Sequence, residues 1–239
     1  MNLDVIVFAA HPDDAELSMG GTIAKLTSKD LKVGIIDFTR GELGTRGSAD
    51  IRQREAFQAA ITLKAAVREN LNIPDGNIES TKENLMKIIM TIRRYKPKII
   101  FAPYFNDRHP DHIDASKMVK KAMFSTGLAK VKTFDKEVAQ EPYRPQKLFY
   151  YMQTYTFEPT VIVDITDCFQ TKMNAVKNYE SQFHNPRSAE PETFISRPEF
   201  IKYVESRAQF YGFQIGKHYG EPFYCEEKIE YDFAKILKH

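Results

Sequence analysis

The stretch DVIVFAAHPDDAELSMGGTIAKLTS, residues 4–28, sets the class of fold. Residues 4–10 form a short apolar run that ends in His11-Pro12. The residue before a proline is biased away from helix, so the run reads as a buried strand. From Glu16 to Ser28, Leu17, Ile23, Ala24 and Leu26 fall on one side of a helix. A strand passing directly into a helix is the opening of a βαβ unit. At the junction stand one imidazole, His11, and two adjacent carboxylates, Asp13 and Asp14.

The same alternation continues outward. Residues 32–38 (KVGIIDF) read as a second buried strand and 39–48 (TRGELGTRGS) as a glycine-rich loop, after which Asp50 caps a helix running through Ile61. A short extended piece at Leu71-Asn72-Ile73 enters the turn Pro74-Asp75-Gly76. Residues 81–95 are a helix on the i, i+3, i+4, i+7 spacing of Leu85, Ile88, Ile89 and Ile92, ended by Pro97. Residues 98–102 are a third buried strand, leading into the loop NDRHPDH (106–112) and a helix over 114–124. Further strands at 148–152 and 161–163 and helices at 166–181 and 197–210 follow, with surface loops at 127–147 and 183–196. The expectation is an α/β fold: a Rossmann-like, mostly parallel sheet flanked by helices, one domain over residues 1–239.

Composition narrows the function classes. With 42% hydrophobic and 28% charged residues the chain is neither disordered nor fibrous. A net charge of +2, with bases and acids interspersed, lacks the basic stripe of a nucleic-acid binder. No run reaches the roughly 18 apolar residues of a membrane helix, and the N-terminus does not have the flank of a signal peptide. Cys168 and Cys225 stand far apart in no metal or redox pattern, which suits packing in a reducing cytoplasm.

Ligands of open parallel sheets bind outside the carboxyl ends of the strands. HPDD (11–14) and HPDH (109–112) therefore emerge on one rim, offering His11, Asp13, Asp14, His109, Asp111 and His112. Zinc or iron takes imidazole and carboxylate ligands, and a catalytic site uses three and leaves a position for water. Two histidines and one aspartate suffice. The other carboxylate then takes a proton from water, whose pKa zinc lowers to about 7, while the other histidine donates to the oxyanion or leaving group. Spacing leaves open which aspartate and which histidines bind. Singly, Asp13 or Asp14 reads equally as a helix cap and His109 as a loop residue; two His-Pro-Asp turns at strand ends favour a shared purpose. A facial-triad Fe(II) oxygenase and a non-catalytic sugar-binding module are the competing readings.

AHPDDAE, GGTIAKL (20–26), TRGELGTRGS with IRQREA (51–56), NIPDGN (72–77) and RHPDH (108–112) resemble the PIG-L (LmbE-like) family of zinc-dependent N-acetylglucosamine deacetylases. The likeness spans at least residues 3–116 and is greatest to the bacillithiol-biosynthesis branch, which acts on N-acetylglucosaminyl malate. The resemblance implies that His11, Asp14 and His112 hold Zn2+, with Fe2+ the alternative in vivo. It makes Asp13 the general base and His109 the group that stabilises the oxyanion and assists the leaving amine, oriented by Asp111. It brings Arg52 and Arg108 to the pocket, where an arginine grips a carboxylate with two parallel hydrogen bonds, and puts Asp75 on sugar hydroxyls. It further implies a small-molecule glycoside substrate, with another N-acetylglucosamine conjugate or a chitooligosaccharide as the alternative, and a homo-oligomer, a hexamer. Ala15 is inserted relative to the AHPDDE pattern, and Glu16 is assigned to the helix N-terminus, where an acid suits the dipole. Gly20-Gly21 read as close helix packing, not as a phosphate loop. His184, His218 and His239 read as surface or packing residues, the aromatics after position 143 as core or subunit interface, and Tyr219 and Glu221 carry no assigned role.

Overall fold

The first apolar run forms strand β1 (Val5–Ala9) and the second β2 (Val33–Asp37), every residue of both buried in the computed structural model, which describes residues 1–186 and 188–230. Burial on both faces explains why these strands are continuously apolar instead of alternating. They are followed by β3 (Val67–Asn70), β4 (Ile99–Pro103), a small hairpin of β5 (Phe134–Asp135) and β6 (Val138–Ala139), then β7 (Lys147–Tyr151), β8 (Val161–Asp164) and β9 (Gly220–Tyr224). The helices are α1 (Asp14–Thr27), α2 (Ala49–Thr62), α3 (Lys82–Tyr95), α4 (Pro110–Ser125), α5 (Phe169–Lys177) and α6 (Pro198–Gln214).

Seven strands form one sheet in the order β3-β2-β1-β4-β7-β9-β8. The first five run parallel, and β9 is antiparallel to both β7 and β8. Val5, Val7 and Ala9 of β1 face a core shared with α1, α2 and α5, while Ile6, Phe8 and Ala10 face a second core under α3 and α4. Strand order reverses between β1 and β4, so the turns leaving these two strands frame the switch-point crevice. The expected mostly parallel, helix-flanked single domain is the observed one. Among the described residues no helix is long and apolar enough to cross a membrane.

Several local expectations are corrected. The third extended piece is Val67–Asn70, paired with β2; residues 71–73 follow it outside the strand, kinked by Asn72 at φ 50°, with the Leu71 and Ile73 N–H groups still donating to the Asp37 and Phe38 carbonyls at 2.8 and 2.9 Å. Ser48, not Asp50, caps α2: its side chain accepts the Ile51 N–H. NDRHPDH is not loop throughout, because α4 starts at Pro110, whose missing N–H and fixed φ suit a first helical position. The expected helix over 166–181 is a 3-10 turn at Thr166–Cys168 followed by the shorter α5, and the expected loop 127–147 contains the β5–β6 hairpin.

The strand β9 was not foreseen, since Pro222 and Glu221 argue against a sheet interior. Its buried Glu221 repairs a break in α1, where Met19 leaves helical geometry at φ −142°. The freed N–H groups of Gly21 and Thr22 donate to the Glu221 carboxylate at 3.0 and 2.6 Å, and Lys172 Nζ balances its charge at 2.6 Å. Gly21 is there for close packing: a Cβ would sit 2.6 Å from Ile165 Cδ1.

Candidate metal and catalytic site

At the end of β1 the chain turns so tightly that Asp13 takes φ 114°, a left-handed conformation costly for any residue but glycine. Such strain persists only where the surroundings enforce it. Here Arg52 does so from beneath: its Nη2 donates to the Pro12 carbonyl at 2.6 Å and to Asp13 Oδ2 at 2.9 Å. Gly41, at φ 65°, lets the loop close over this guanidinium, since a Cβ there would lie 2.2 Å from Nη1. Arg52 is therefore held as the counter-charge of Asp13, at the wall of the cavity that the His11, Asp14 and His112 group also lines. Burial pushes the Asp13 carboxyl up to about 7, with Arg52 pulling it down and Asp14 pushing it up.

Asp14, by contrast, points among imidazoles. Its Oδ2 accepts the His11 backbone N–H at 2.9 Å and lies 3.6 Å from His11 Nδ1, and its Oδ1 lies 3.3 Å from His112 Nε2. One donor atom from each of His11, Asp14 and His112 falls within 4.8 Å of the others, and all three residues are buried. The second nitrogen of each ring is engaged by a carboxylate. His112 Nδ1 meets Asp107 Oδ1 at 2.8 Å, and His11 Nε2 lies between Asp75 Oδ1 at 3.0 Å and Asp111 Oδ2 at 3.1 Å. Carboxylates behind imidazoles are how metal-ligating histidines are held and made more basic. The donor set thus fits a divalent ion such as zinc or iron. His11, His109 and Asp111 also converge within 4.8 Å, but there Asp111 Oδ2 is already occupied by His11 and the Gly76 N–H.

His109 caps α4, its Nδ1 accepting the Asp111 backbone N–H at 3.2 Å. That bond puts the proton of the neutral ring on Nε2, where it can donate a hydrogen bond. Burial, with the neighbouring His11 and His112, holds the His109 pKa below its ordinary value. Asp111 thus holds His109 through its main chain, while its carboxylate belongs to His11. Asp75, expected on sugar hydroxyls, is bound to His11 and to the Leu43 N–H at 2.9 Å.

Sequence reasoning passed over Asp107. Its Oδ1 accepts the His109 N–H at 3.0 Å as well as serving His112, and its Oδ2 accepts the N–H groups of Thr154 and Tyr155 at 2.8 and 3.2 Å. Against the effect of burial, these bonds hold its carboxyl down to about 2. The available signal was an acid five residues before a candidate metal-ligating histidine. Nothing local signalled the far side of the cavity, a space of about 450 Å³ whose outer wall comes from residues 193–207. Arg108 is exposed on its rim, 4.6 Å over the ring of Phe194. Tyr219 stacks on Phe169 away from the cavity, His184 and His218 are exposed, and His239 lies outside the described residues.

Residues 6–123 match the PIG-L family, described as GlcNAc-PI de-N-acetylase. Diacetylchitobiose deacetylase of Thermococcus kodakarensis is 30% identical over 229 residues, 91% of this chain and 80% of that protein. A probable N-acetyl-alpha-D-glucosaminyl L-malate deacetylase of Bacillus subtilis is 25% identical over 196 residues, 76% of this chain and 84% of that protein. A conserved Thermus thermophilus protein of known structure superposes with a TM-score of 0.86 at 34% identity, covering 97% of this chain and 98% of its own.

Proposed function

The chain belongs to the PIG-L family, and on that premise we propose that it is a zinc-dependent amide hydrolase that removes the acetyl group from an N-acetylglucosamine conjugate. The observation that carries the reading is the grouping of His11, Asp14 and His112, each ring backed by a carboxylate, beside a separate buried carboxylate, Asp13. Asp14 and the two imidazoles hold the ion, Zn2+ or, in the cell, Fe2+. When bound, such an ion polarises an acyl oxygen and makes water acidic enough to attack near neutral pH.

The chain's own groups do the rest. Asp13, pinned by Arg52, accepts the proton of the attacking water. His109 Nε2–H donates a hydrogen bond to the charge growing on the amide oxygen and assists the departing amine, which takes the proton that Asp13 received from the water. Asp111 holds the position of His109 and His11. Arg108 on the rim meets the aglycone, and Asp75 keeps His11 in place beside the sugar. The favoured substrate is N-acetylglucosaminyl malate, in bacillithiol biosynthesis; the protein acts in the cytoplasm as a homo-oligomer, a hexamer. Exposed Phe57, Ile61, Phe210 and Phe213 support an association surface. The likeness to diacetylchitobiose deacetylase supports a second reading, a chitooligosaccharide substrate.

The test is acetate release by metal-reconstituted protein from N-acetylglucosaminyl malate, diacetylchitobiose and free N-acetylglucosamine. Preference for the malate conjugate upholds the pathway, preference for diacetylchitobiose moves the protein to the second reading, and release from none removes the deacetylase assignment.

A further inference from the structure

Two stretches of irregular chain share the wall of the cavity: Leu43, Gly44 and Thr45 of the glycine-rich loop, and Thr193, Phe194 and Ile195 of the segment joining α5 to α6. One side chain ties them together. Glu190 Oε1 accepts the Gly47 N–H at 2.8 Å, and its Oε2 lies 3.8 Å from Arg46 Nε. Further along, the segment meets the β4–α4 loop, where Phe194 sits under Arg108 at 4.6 Å. It thus runs from one wall loop to another, past the cavity they share.

The ends of this segment are firmly held. Before it, the Ser181 N–H and hydroxyl donate to Glu55 at 2.8 and 2.7 Å, and Gln182 Nε2 donates to the Arg46 carbonyl at 2.9 Å. At its far end Thr193 and Ser196 exchange hydrogen bonds, Ser196 is buried, and α6 begins at Pro198. Between these anchors residues 188–192 form no helix or strand, and the Glu190 side chain is 43% exposed. The contact made by Glu190 is half complete. Arg46 is buried; its Nε donates to the Ser181 carbonyl at 3.0 Å, and its Nη2 is buried without a partner. At 3.8 Å the Glu190 carboxylate is too far away to accept from this guanidinium. A buried cationic donor left open, with an acid just out of range on irregular chain, is satisfied by a movement on the order of 1 Å.

We infer that residues 188–196 are a lid on the cavity and that Glu190 is its latch, closing onto Arg46 when a sugar is bound. The inference rests on the reading above only in taking this cavity as the place where the sugar sits. In the closed state Glu190 keeps the Gly47 N–H on one oxygen and gives the other to Arg46 Nη2, which draws Phe194 and Ile195 over the sugar. Closure keeps bulk water from the attacked amide, and the latch must part again before product leaves. Glu190 touches neither the sugar nor the reacting atoms; it acts by holding the wall that does.

The experiment follows amide hydrogen exchange by mass spectrometry in residues 188–196 of the metal-loaded protein, for the unaltered chain, Glu190→Gln and Glu190→Ala. Each is measured alone and with the deacetylated sugars glucosamine, its disaccharide and its malate conjugate, which are not turned over. Steady-state acetate release from diacetylchitobiose and N-acetylglucosaminyl malate is measured alongside. In the unaltered chain at least one sugar is expected to slow exchange about threefold or more. Glu190→Ala is expected to lose that slowing and to raise KM about two- to fivefold, as loss of a half-exposed ion pair allows, with kcat not lowered. Glu190→Gln, which keeps an acceptor for the Gly47 N–H but has no charge for Arg46, falls between the two. Exchange unchanged by all three sugars overturns the lid, and slowing that survives intact in Glu190→Ala overturns the latch. A fall in kcat at constant KM in Glu190→Ala also overturns it, since that is damage to the reacting groups. Slowing lost in Glu190→Ala, with no acetate released from either substrate, upholds the lid and sinks the deacetylase reading; acetate release without slowing does the reverse.

Discussion

Replacing Asp107 by asparagine is the sharpest test of how the proposed metal site is held. The carboxylate accepts four hydrogen bonds, two on each oxygen: His112 Nδ1 and the His109 N–H on Oδ1, the Thr154 and Tyr155 N–H groups on Oδ2. Asparagine has one acceptor oxygen and one NH2 group. Whichever way the amide is turned, two donors of the protein face two donors of the side chain. A hydrogen bond to a charged group nets about 1.5–3 kcal/mol, so losing two costs about 3 kcal/mol at the low end. In a chain of this size that lowers the metal-free Tm by roughly 6–12 °C. With His112 no longer oriented, metal affinity falls about ten- to a hundredfold, the usual effect of losing such a support. Thermal scans of the metal-free protein and zinc titration against a competing chelator read the two effects separately. An Asp107→Asn protein with the parent's Tm and zinc affinity would refute the reasoning, and a normal Tm with weakened zinc binding would confine Asp107 to His112.

Asp13→Asn is expected to abolish acetate release while metal content measured by elemental analysis stays near normal; full activity removes Asp13 from the mechanism. Gly41→Ala drives a methyl into Arg52 at a positive φ and is expected to cost about 1–3 kcal/mol in denaturant unfolding, with loss of turnover through Asp13; a fully stable and active variant contradicts the Arg52 geometry. Glu221→Gln leaves Lys172 buried without its counter-charge, an expected loss of about 3–5 kcal/mol, and an unchanged unfolding midpoint excludes Glu221 as the support of the broken helix. Burial pushes Asp37 from 3.8 up to about 6, against the pull of Arg68. Its folded pKa is raised, so its contribution is complete below pH 3.8 and is lost as pH rises through about 6, on the order of 3 kcal/mol. Asp37→Asn should flatten that part of the stability profile, and a slope unchanged by the substitution argues against the shift.

The sequence made legible what is local. β1 and β2 were readable because buried parallel strands are apolar throughout, and α3 because four isoleucine and leucine positions repeat at helical spacing. His11, Asp14 and His112 were readable as a pool of ligands because each lies within three residues of a proline turn at a strand end. What escaped depends on distant chain. β9 contains a proline and a buried acid, and only its place between β7 and β8 makes a strand of it. The spacing of Arg52 does not show that it pairs with Asp13; the closing of the loop at Gly41 over its guanidinium does that. Arg207 sits on α6 at a position that reads as an ordinary helix surface until the fold sets it against Gln153 and Leu17.

The break in α1 bears on protein engineering. HPDD looks like a portable cassette, four residues to be written onto the end of any parallel strand. Yet the helix that follows it stops at Met19, and its restart is held by a carboxylate from a strand two hundred residues away and by a lysine from another helix. Grafted with its helix but without those partners, the cassette would arrive with two unsatisfied main-chain donors about two turns beyond Asp14. A designer moving this site would have to carry Glu221 and Lys172 with it, or rebuild the helix so that it runs unbroken.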